Sequence, residues 1–251
     1  MKTLSQSFNL EPQTFALCVP IGPNSEDALP ALLNQAAVAK PDLIEWRRDA
    51  MGLLSNDAQD DCLDLMAEKK IPILYTFRDF SEGGACADAD SAFREDAILS
   101  AVDHPAVAYV DIEARQSEKM IKTVRKALHR QDKQLILSYH NFKKALKPKA
   151  FKQKLYDIAE KNPDVIKIAM QADSKADILQ SSYGILHFLK KSHWQKPIIF
   201  IMMGTCGRLL RIAPEYFGGS LTYAALSEAA ATAPGQLSPD QIRQFRKDLY
   251  L

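Results

Sequence analysis

The sequence has no CxxC pair, no glycine-rich nucleotide fingerprint, no excess of charge and no long apolar run. Its four cysteines, Cys18, Cys62, Cys86 and Cys206, show no metal-type spacing, and we read them as reduced thiols in a cytoplasmic protein. The formal net charge of +1 gives no reason to expect a nucleic acid or a membrane surface as partner. Basic runs such as Lys143-Lys144 and Lys147-Pro148-Lys149 are short and read as solvated surface. No uninterrupted apolar stretch reaches the length of a membrane span. Residues Met1 to Pro12 contain Gln, Ser, Asn and Glu but no apolar h-region, so no signal peptide is expected.

What the chain has is ordinary globular composition, 47% hydrophobic and 25% charged, in 251 residues. That length fits one large α/β barrel or two small domains. Residues 2–12, polar and loosely alternating, suggest a short N-terminal hairpin. Strands are expected at 15–20, 43–49, 72–78, 108–114, 134–140, 165–170, 197–203 and 220–226. Helices are expected between them: one capped by Ser25 and running through Lys40, then 57–70, one from about 90 to Asp103, one capped by Ser117 and running to Arg130, 148–161, 173–191, a short one at 207–212, and a last one at 238–249. Eight strand-then-helix units with no linker and no second composition regime argue for a parallel sheet. A doubly wound open sheet would want a glycine-rich first turn, and Gly22-Pro23 is not one. We therefore expect a single (β/α)₈ barrel domain over residues 1–251.

The sixth strand, Val165-Ile166-Lys167-Ile168-Ala169-Met170, is an apolar run with a lysine at its centre. Burial disfavours the charged form of an amine, and a neutral amine is a nucleophile that forms Schiff bases with ketones and aldehydes. The plain reading is a lysine that snorkels to the strand end or pairs with a carboxylate. Other polar residues also fall in strands. By alternation Glu45, Arg47 and Asp49 share one face of strand two, Asp111 and Glu113 one face of strand four, and Ser138 and His140 one face of strand five, while Arg78 ends strand three. All lie toward the C-terminal ends, where a barrel carries its active site. Each alone has a structural explanation: an ion pair, a helix cap, a buried histidine. Together they form a charged mouth that stability does not require, because burying charge is costly.

No metal site is expected, since His140 has no acidic or histidine partner at ligand spacing on its strand. Gly204, Gly207, Gly218 and Gly219 could cradle a phosphate, whereas Arg208 and Arg211 in the same region would serve a carboxylate equally well.

These residues resemble the type I 3-dehydroquinate dehydratases of the shikimate pathway. The resemblance runs through Glu45-Trp46-Arg47-Arg48-Asp49, Thr76-Phe77-Arg78 with Glu82-Gly83-Gly84, Asp111-Ile112-Glu113, Ser138-Tyr139-His140-Asn141-Phe142 and Ile166-Lys167-Ile168-Ala169. It continues through Met203-Gly204 with Arg211, Phe217-Gly218-Gly219-Ser220-Leu221-Thr222-Tyr223 and Ala233-Pro234-Gly235-Gln236. It implies a (β/α)₈ enzyme, a homodimer, with no metal and no organic cofactor, that turns 3-dehydroquinate into 3-dehydroshikimate and water. It implies Lys167 as the Schiff-base lysine, His140 as general acid/base and Glu82 as the acid that orients and tunes His140. Glu45, Arg47 and Arg78 match residues that hold substrate hydroxyls, and Arg211 matches the arginine that binds the carboxylate. Met203, Tyr223 and Cys18 match lining positions, and Thr232 and Gln236 match a loop that closes over the carboxylate end.

The chain departs from the family pattern at Leu210 and Thr232, where Ser is common, and at Asn141, where Asp is common. None of these removes a catalytic group. Two other readings share features of the sequence. A Schiff-base aldolase on a phosphorylated sugar would use the same lysine and the glycines as a phosphate site. A small-acid binding barrel without catalysis is disfavoured by the presence of Lys167, His140 and Glu82 together.

Overall fold

The computed structural model describes residues 8–227 and 235–251. Eight strands alternate with eight helices: β1 (Leu17–Ile21), α1 (Leu29–Val38), β2 (Leu43–Arg47), α2 (Asn56–Ala67), β3 (Ile73–Thr76), α3 (Ser91–Asp103), β4 (Val107–Glu113), α4 (Glu118–His129), β5 (Gln134–Asn141), α5 (Pro148–Ala159), β6 (Val165–Gln171), α6 (Lys175–Ser192), β7 (Ile198–Met203), α7 (Arg208–Ile212), β8 (Thr222–Tyr223) and α8 (Pro239–Asp248). The strands form one sheet in the order β7-β6-β5-β4-β3-β2-β1-β8, and the registers of β1 with β8, β2 with β3, β3 with β4 and β6 with β7 are parallel. The Ser220 N–H, leading into β8, donates to the Ile198 carbonyl at the start of β7. Sequential neighbours with β8 beside β1 make this the (β/α)₈ architecture, with none of the order reversal of a doubly wound sheet.

Strands buried on both faces read as continuous apolar runs, and β6 and β7 do so. The helices bury one stripe. In α4 the buried residues are Met120, Ile121, Val124 and Leu128, at the spacing that puts them on one face, and Lys122 and Lys126 face out. Each such side chain contributes about 1.5–3 kcal/mol. Side-chain caps start several helices: Ser117, as the sequence suggests, accepts from Met120 N–H, and Ser238, expected inside the last helix, instead caps it in a capping box with Gln241.

Several boundaries differ from the sequence reading. Ser25 is not the cap of α1. Residues 26–28 form a turn, and Pro30 in the first turn, with its φ already set for a helix, marks the start at Leu29. Strand β2 stops at Arg47, and Asp49 belongs to a 3₁₀ turn (Arg48–Met51), so Asp49 does not continue the strand face. Strand β3 stops at Thr76, because the Arg78 N–H bonds to the Asp49 carboxylate. Strand β8 is only two residues, because the chain turns to pair Ala224 with Leu237. Of the expected N-terminal hairpin, residues 2–7 lie outside the described residues and 8–12 carry a turn but no strand.

By their contacts the described residues fall into two compact units. One is drawn from residues 8–9 and 19–136, the other from residues 10–18, 137–227 and 235–251, and the chain passes between them after residue 9, within β1 and within β5. No helix among the described residues is long and apolar enough to cross a membrane.

Candidate active site

In the first unit the registers align one face of three strands. Glu45 pairs with Leu74 and Leu74 with Tyr109, while Arg47 pairs with Thr76 and Thr76 with Asp111. Glu45, Arg47, Thr76 and Asp111 therefore share a face, as alternation predicts for the strand residues. Thr76 Oγ1 donates to Glu45 Oε1 at 2.9 Å. Arg78, buried just past β3, meets Asp111 at 2.8 Å and Glu113 at 2.8 Å. Burial alone would lower its guanidinium, but the two carboxylates outweigh that and raise it well above the ordinary value. Glu113 is shared: it also accepts from Arg94 of α3 at 2.8 Å, from the Asp79 N–H and from Gln116. Arg94 reaches Asp79 at 2.7 Å as well.

Glu82, 8% exposed, ends a 3₁₀ turn (Phe80–Glu82) whose start is capped by Asp79 accepting from the Ser81 N–H. The motif Glu82-Gly83-Gly84 has a physical reason. Gly83 sits at φ 85°, where glycine alone is unstrained, and a Cβ on Gly84 would lie 2.1 Å from the Arg78 carbonyl oxygen. Asp49 was expected as one more charge on the strand face. It instead chelates Arg47 through both oxygens, at 2.9 and 2.8 Å.

In the second unit Lys167 lies at the centre of β6 and is 4% exposed. Its Nζ stands 4.6 Å from the centroid of the Tyr223 ring, a contact that favours a cation or a polar amine over an aromatic face. Tyr223 of β8 is in register with Cys18 of β1, and both are buried. Met203 and Lys167 share a face through the β6–β7 register, which pairs Lys167 with Ile199 and Gln171 with Met203. Arg211, at the end of α7 and 3% exposed, has its Nη1 3.5 Å from the Tyr223 carbonyl. Burial lowers its guanidinium to about 10. His140, near the end of β5, stacks nearly parallel on Phe142 with centroids 6.2 Å apart. Asn141 Oδ1 accepts from the backbone N–H of Lys143 and of Lys144, a turn that an aspartate would make in the same way. This departure keeps the local shape behind the histidine.

Gln236 borders a cavity of about 450 Å³ that is lined also by Arg208, Ser227, Leu237 and Gln241, and not by Lys167, His140 or Arg211. Thr232 lies outside the described residues, as do all of residues 228–234 in the loop expected to close over the carboxylate end. Leu210 is buried apolar packing.

The structure thus groups Glu45, Arg47 and Arg78 in one unit and Lys167, Tyr223, Arg211 and Cys18 in the other. The sequence reading missed Asp79 and Arg94. An arginine in a helix ordinarily reads as solvated surface, so nothing marked Arg94 as buried. The glycines read as a possible phosphate cradle also have a packing role. A Cβ on Gly218 would meet Ile185 at 2.6 Å and one on Gly207 would meet the Met202 carbonyl oxygen at 1.7 Å, so both glycines serve close packing. Among the described residues no group of three or more His, Cys, Asp or Glu is placed to hold a metal ion.

Comparison with known proteins narrows the reading. The family model described as Type I 3-dehydroquinase matches residues 17–250. A 3-dehydroquinate dehydratase of Shigella boydii serotype 4 (strain Sb227) is 30% identical over 207 residues, covering 80% of each chain. The solved 3-dehydroquinate dehydratase of Geobacillus kaustophilus HTA426 superposes with a TM-score of 0.89 at 23% identity, covering 100% of this chain and 96% of that one. The type I enzyme of Clostridium difficile, solved with covalently modified comenic acid, gives 0.85 at 25% identity, covering 96% and 93%. Fold and matches together define a hydro-lyase on a (β/α)₈ frame. More particularly, the chain belongs to the type I 3-dehydroquinase family.

Proposed function

We propose that the chain, acting as a single (β/α)₈ domain over residues 1–251, dehydrates 3-dehydroquinate to 3-dehydroshikimate through an imine on Lys167, with His140 as general acid and base. The observation that carries this is the amine itself: Lys167 is 4% exposed in a central strand with an aromatic ring over its Nζ. Such a position suits a nucleophile better than a solvated surface charge. The covalent modification in the Clostridium difficile relative supports covalent chemistry in this family.

The substrate is a β-hydroxy ketone that carries a carboxylate. Its α-proton is too weakly acidic for an imidazole to remove at a useful rate. The Lys167 amine adds to the ketone and water leaves, giving a protonated imine that acts as an electron sink. His140 takes the α-proton, and the electrons of that C–H bond pass into the imine to give an enamine. The enamine expels the β-hydroxyl, which takes the proton from His140 and departs as water. Hydrolysis of the conjugated imine consumes one water and returns Lys167, so the net change is loss of one water. A positioned acid/base contributes about 10²–10⁴-fold.

Glu82 orients His140 and favours its charged form. Glu45, Arg47 and Arg78 hold the substrate hydroxyls, and Arg211 forks the carboxylate. Met203, Tyr223 and Cys18 line the ring, and Thr232 and Gln236 close the carboxylate end. Amine and imidazole suffice for every step, so the reaction needs neither a metal nor an organic cofactor. The working form we propose is a cytoplasmic homodimer, with no nucleic-acid or membrane partner.

Borohydride reduction in the presence of 3-dehydroquinate tests the proposal. A reduced adduct mapped to Lys167 by peptide mass is the expected result. Turnover without any trappable adduct would overturn it.

A further inference from the structure

Asp49 is 1% exposed and accepts four hydrogen bonds. Oδ1 takes Arg47 Nε at 2.9 Å and the Arg78 N–H at 3.2 Å, and Oδ2 takes Arg47 Nη2 at 2.8 Å and the Ala85 N–H at 2.8 Å. Arg47 Nη2 also donates to the Gly83 carbonyl at 3.1 Å. One carboxylate and one guanidinium therefore tie the end of β2 to both ends of the segment 78–85. That segment carries Glu82 in its 3₁₀ turn, folded back so tightly that Gly84 has no room for a Cβ over the Arg78 carbonyl. Burial alone would raise the Asp49 carboxyl, but the Arg47 bonds and the two amides hold it below the ordinary value, so it stays an acceptor at both oxygens.

We propose that Asp49 is a positioning residue for this enzyme. It fixes the plane of the Arg47 guanidinium and the placement of the Glu82 turn, and it acts on the reaction only through those two groups. The proposal rests on the roles given above to Arg47 and Glu82. Its chemical basis is that all four donors aim at acceptor oxygens. An asparagine would replace one oxygen by an NH₂ that faces either Arg47 and the Arg78 amide or Arg47 and the Ala85 amide, donor against donor. A simple ion pair would depend on the Arg47 contact alone.

Steady-state kinetics of Asp49→Asn, alone and combined with Arg47→Met or Glu82→Ala, test this. We expect Asp49→Asn to raise KM about tenfold or more, as loss of charge-assisted bonds does. It should also lower kcat and shift the pH at which kcat rises, because the role proposed above for Glu82 is to tune His140. In the Arg47→Met background the further rise in KM should be small, and in the Glu82→Ala background the further fall in kcat and the pH shift should be small. Asp49→Glu, which keeps both acceptor oxygens, should restore the pH profile more fully than Asp49→Asn. Asp49→Ala, which removes both acceptor oxygens, serves in the same cycles if the asparagine variant does not fold. Losses that simply add in both backgrounds, or an unshifted pH profile, would overturn the positioning role. If instead Arg47→Met leaves KM unchanged and Glu82→Ala leaves kcat unchanged, the roles beneath the proposal are refuted and the proposal falls with them, a distinct outcome.

Discussion

The β2–β4 region and the β6–β8 region treat buried cations in opposite ways. Beside β3, Arg78 is held by two fully buried carboxylates, and its guanidinium is raised well above the ordinary value despite burial. Beside β8, burial outweighs the contacts of Arg211 and lowers it to about 10. A cation whose charge is already balanced offers directional N–H groups at little further electrostatic gain from an anion, which suits neutral hydroxyls. A cation whose burial is under-compensated gains most from an anionic ligand, which suits a carboxylate. The division between hydroxyl-holding and carboxylate-holding residues in the proposed function follows this physical difference, and mutations can break it or sharpen it.

The largest effect is expected at Lys167. Lys167→Ala should abolish imine trapping and nearly all turnover, while circular dichroism and the unfolding midpoint stay close to those of the parent, because burying a polar amine costs desolvation that an alanine does not. Undiminished dehydration by this variant would remove the covalent role from the β6–β8 region altogether.

His140 comes next. His140→Ala should lower turnover about 10²–10⁴-fold, yet still form the borohydride-reducible adduct, detected as intact mass. Glu82→Ala should cost less, and the double variant little more than His140→Ala, as expected of residues that act as one unit. Near-parental turnover of His140→Ala would require another base.

The two arginines test the comparison directly. Arg211→Ala should raise KM about 10–100-fold for 3-dehydroquinate and far less for an analogue without the carboxylate. It should leave denaturant stability little changed. Arg78→Ala takes a buried cation away from Asp111 and Glu113, although Glu113 keeps Arg94, and should cost about 3–5 kcal/mol in urea unfolding, the usual penalty for breaking a buried pair. Equal stability losses at the two sites would erase the distinction between them.

The smallest effect concerns acid. Asp49 and Asp79 both have lowered pKa values in the folded protein, Asp79 mainly because bonds from Ser81 and the charges of Arg94 and Arg115 outweigh its burial. Their contribution to stability is complete above the unfolded carboxylate value of about 4 and is lost as the pH falls through their folded values. Asp49→Asn and Asp79→Asn should each flatten the loss of stability below about pH 4. An unchanged slope of unfolding free energy against pH would show that these carboxylates do not hold the β2–β4 region charged.

The alternation of strands and helices was legible because it depends on local periodicity, and so was Lys167, a charge in an apolar run. The strand faces of Glu45, Arg47 and Asp111 followed from a period of two. Where a single residue leaves the repeat, local reading fails. Arg47 has ψ 79°, which ends β2 and carries Asp49 off the strand into a turn. The packing role of the glycines beside β7 and β8 was not legible either, because spacing does not reveal that Ile185 and the Met202 carbonyl press against them.

Sequence alone therefore determined the eight-unit frame, the buried lysine and the set of polar residues at the strand ends, since each is a property of a short window. Tertiary structure decided which charges meet. Arg78 could pair with any of several acids, and Arg94 looked like surface until α3 set it against Glu113 and Asp79. Those pairings join residues 15 to 35 positions apart, brought together by strand register and helix packing. The energy of a buried ion pair depends on that geometry and on the exclusion of water, neither of which is encoded in the residues one at a time.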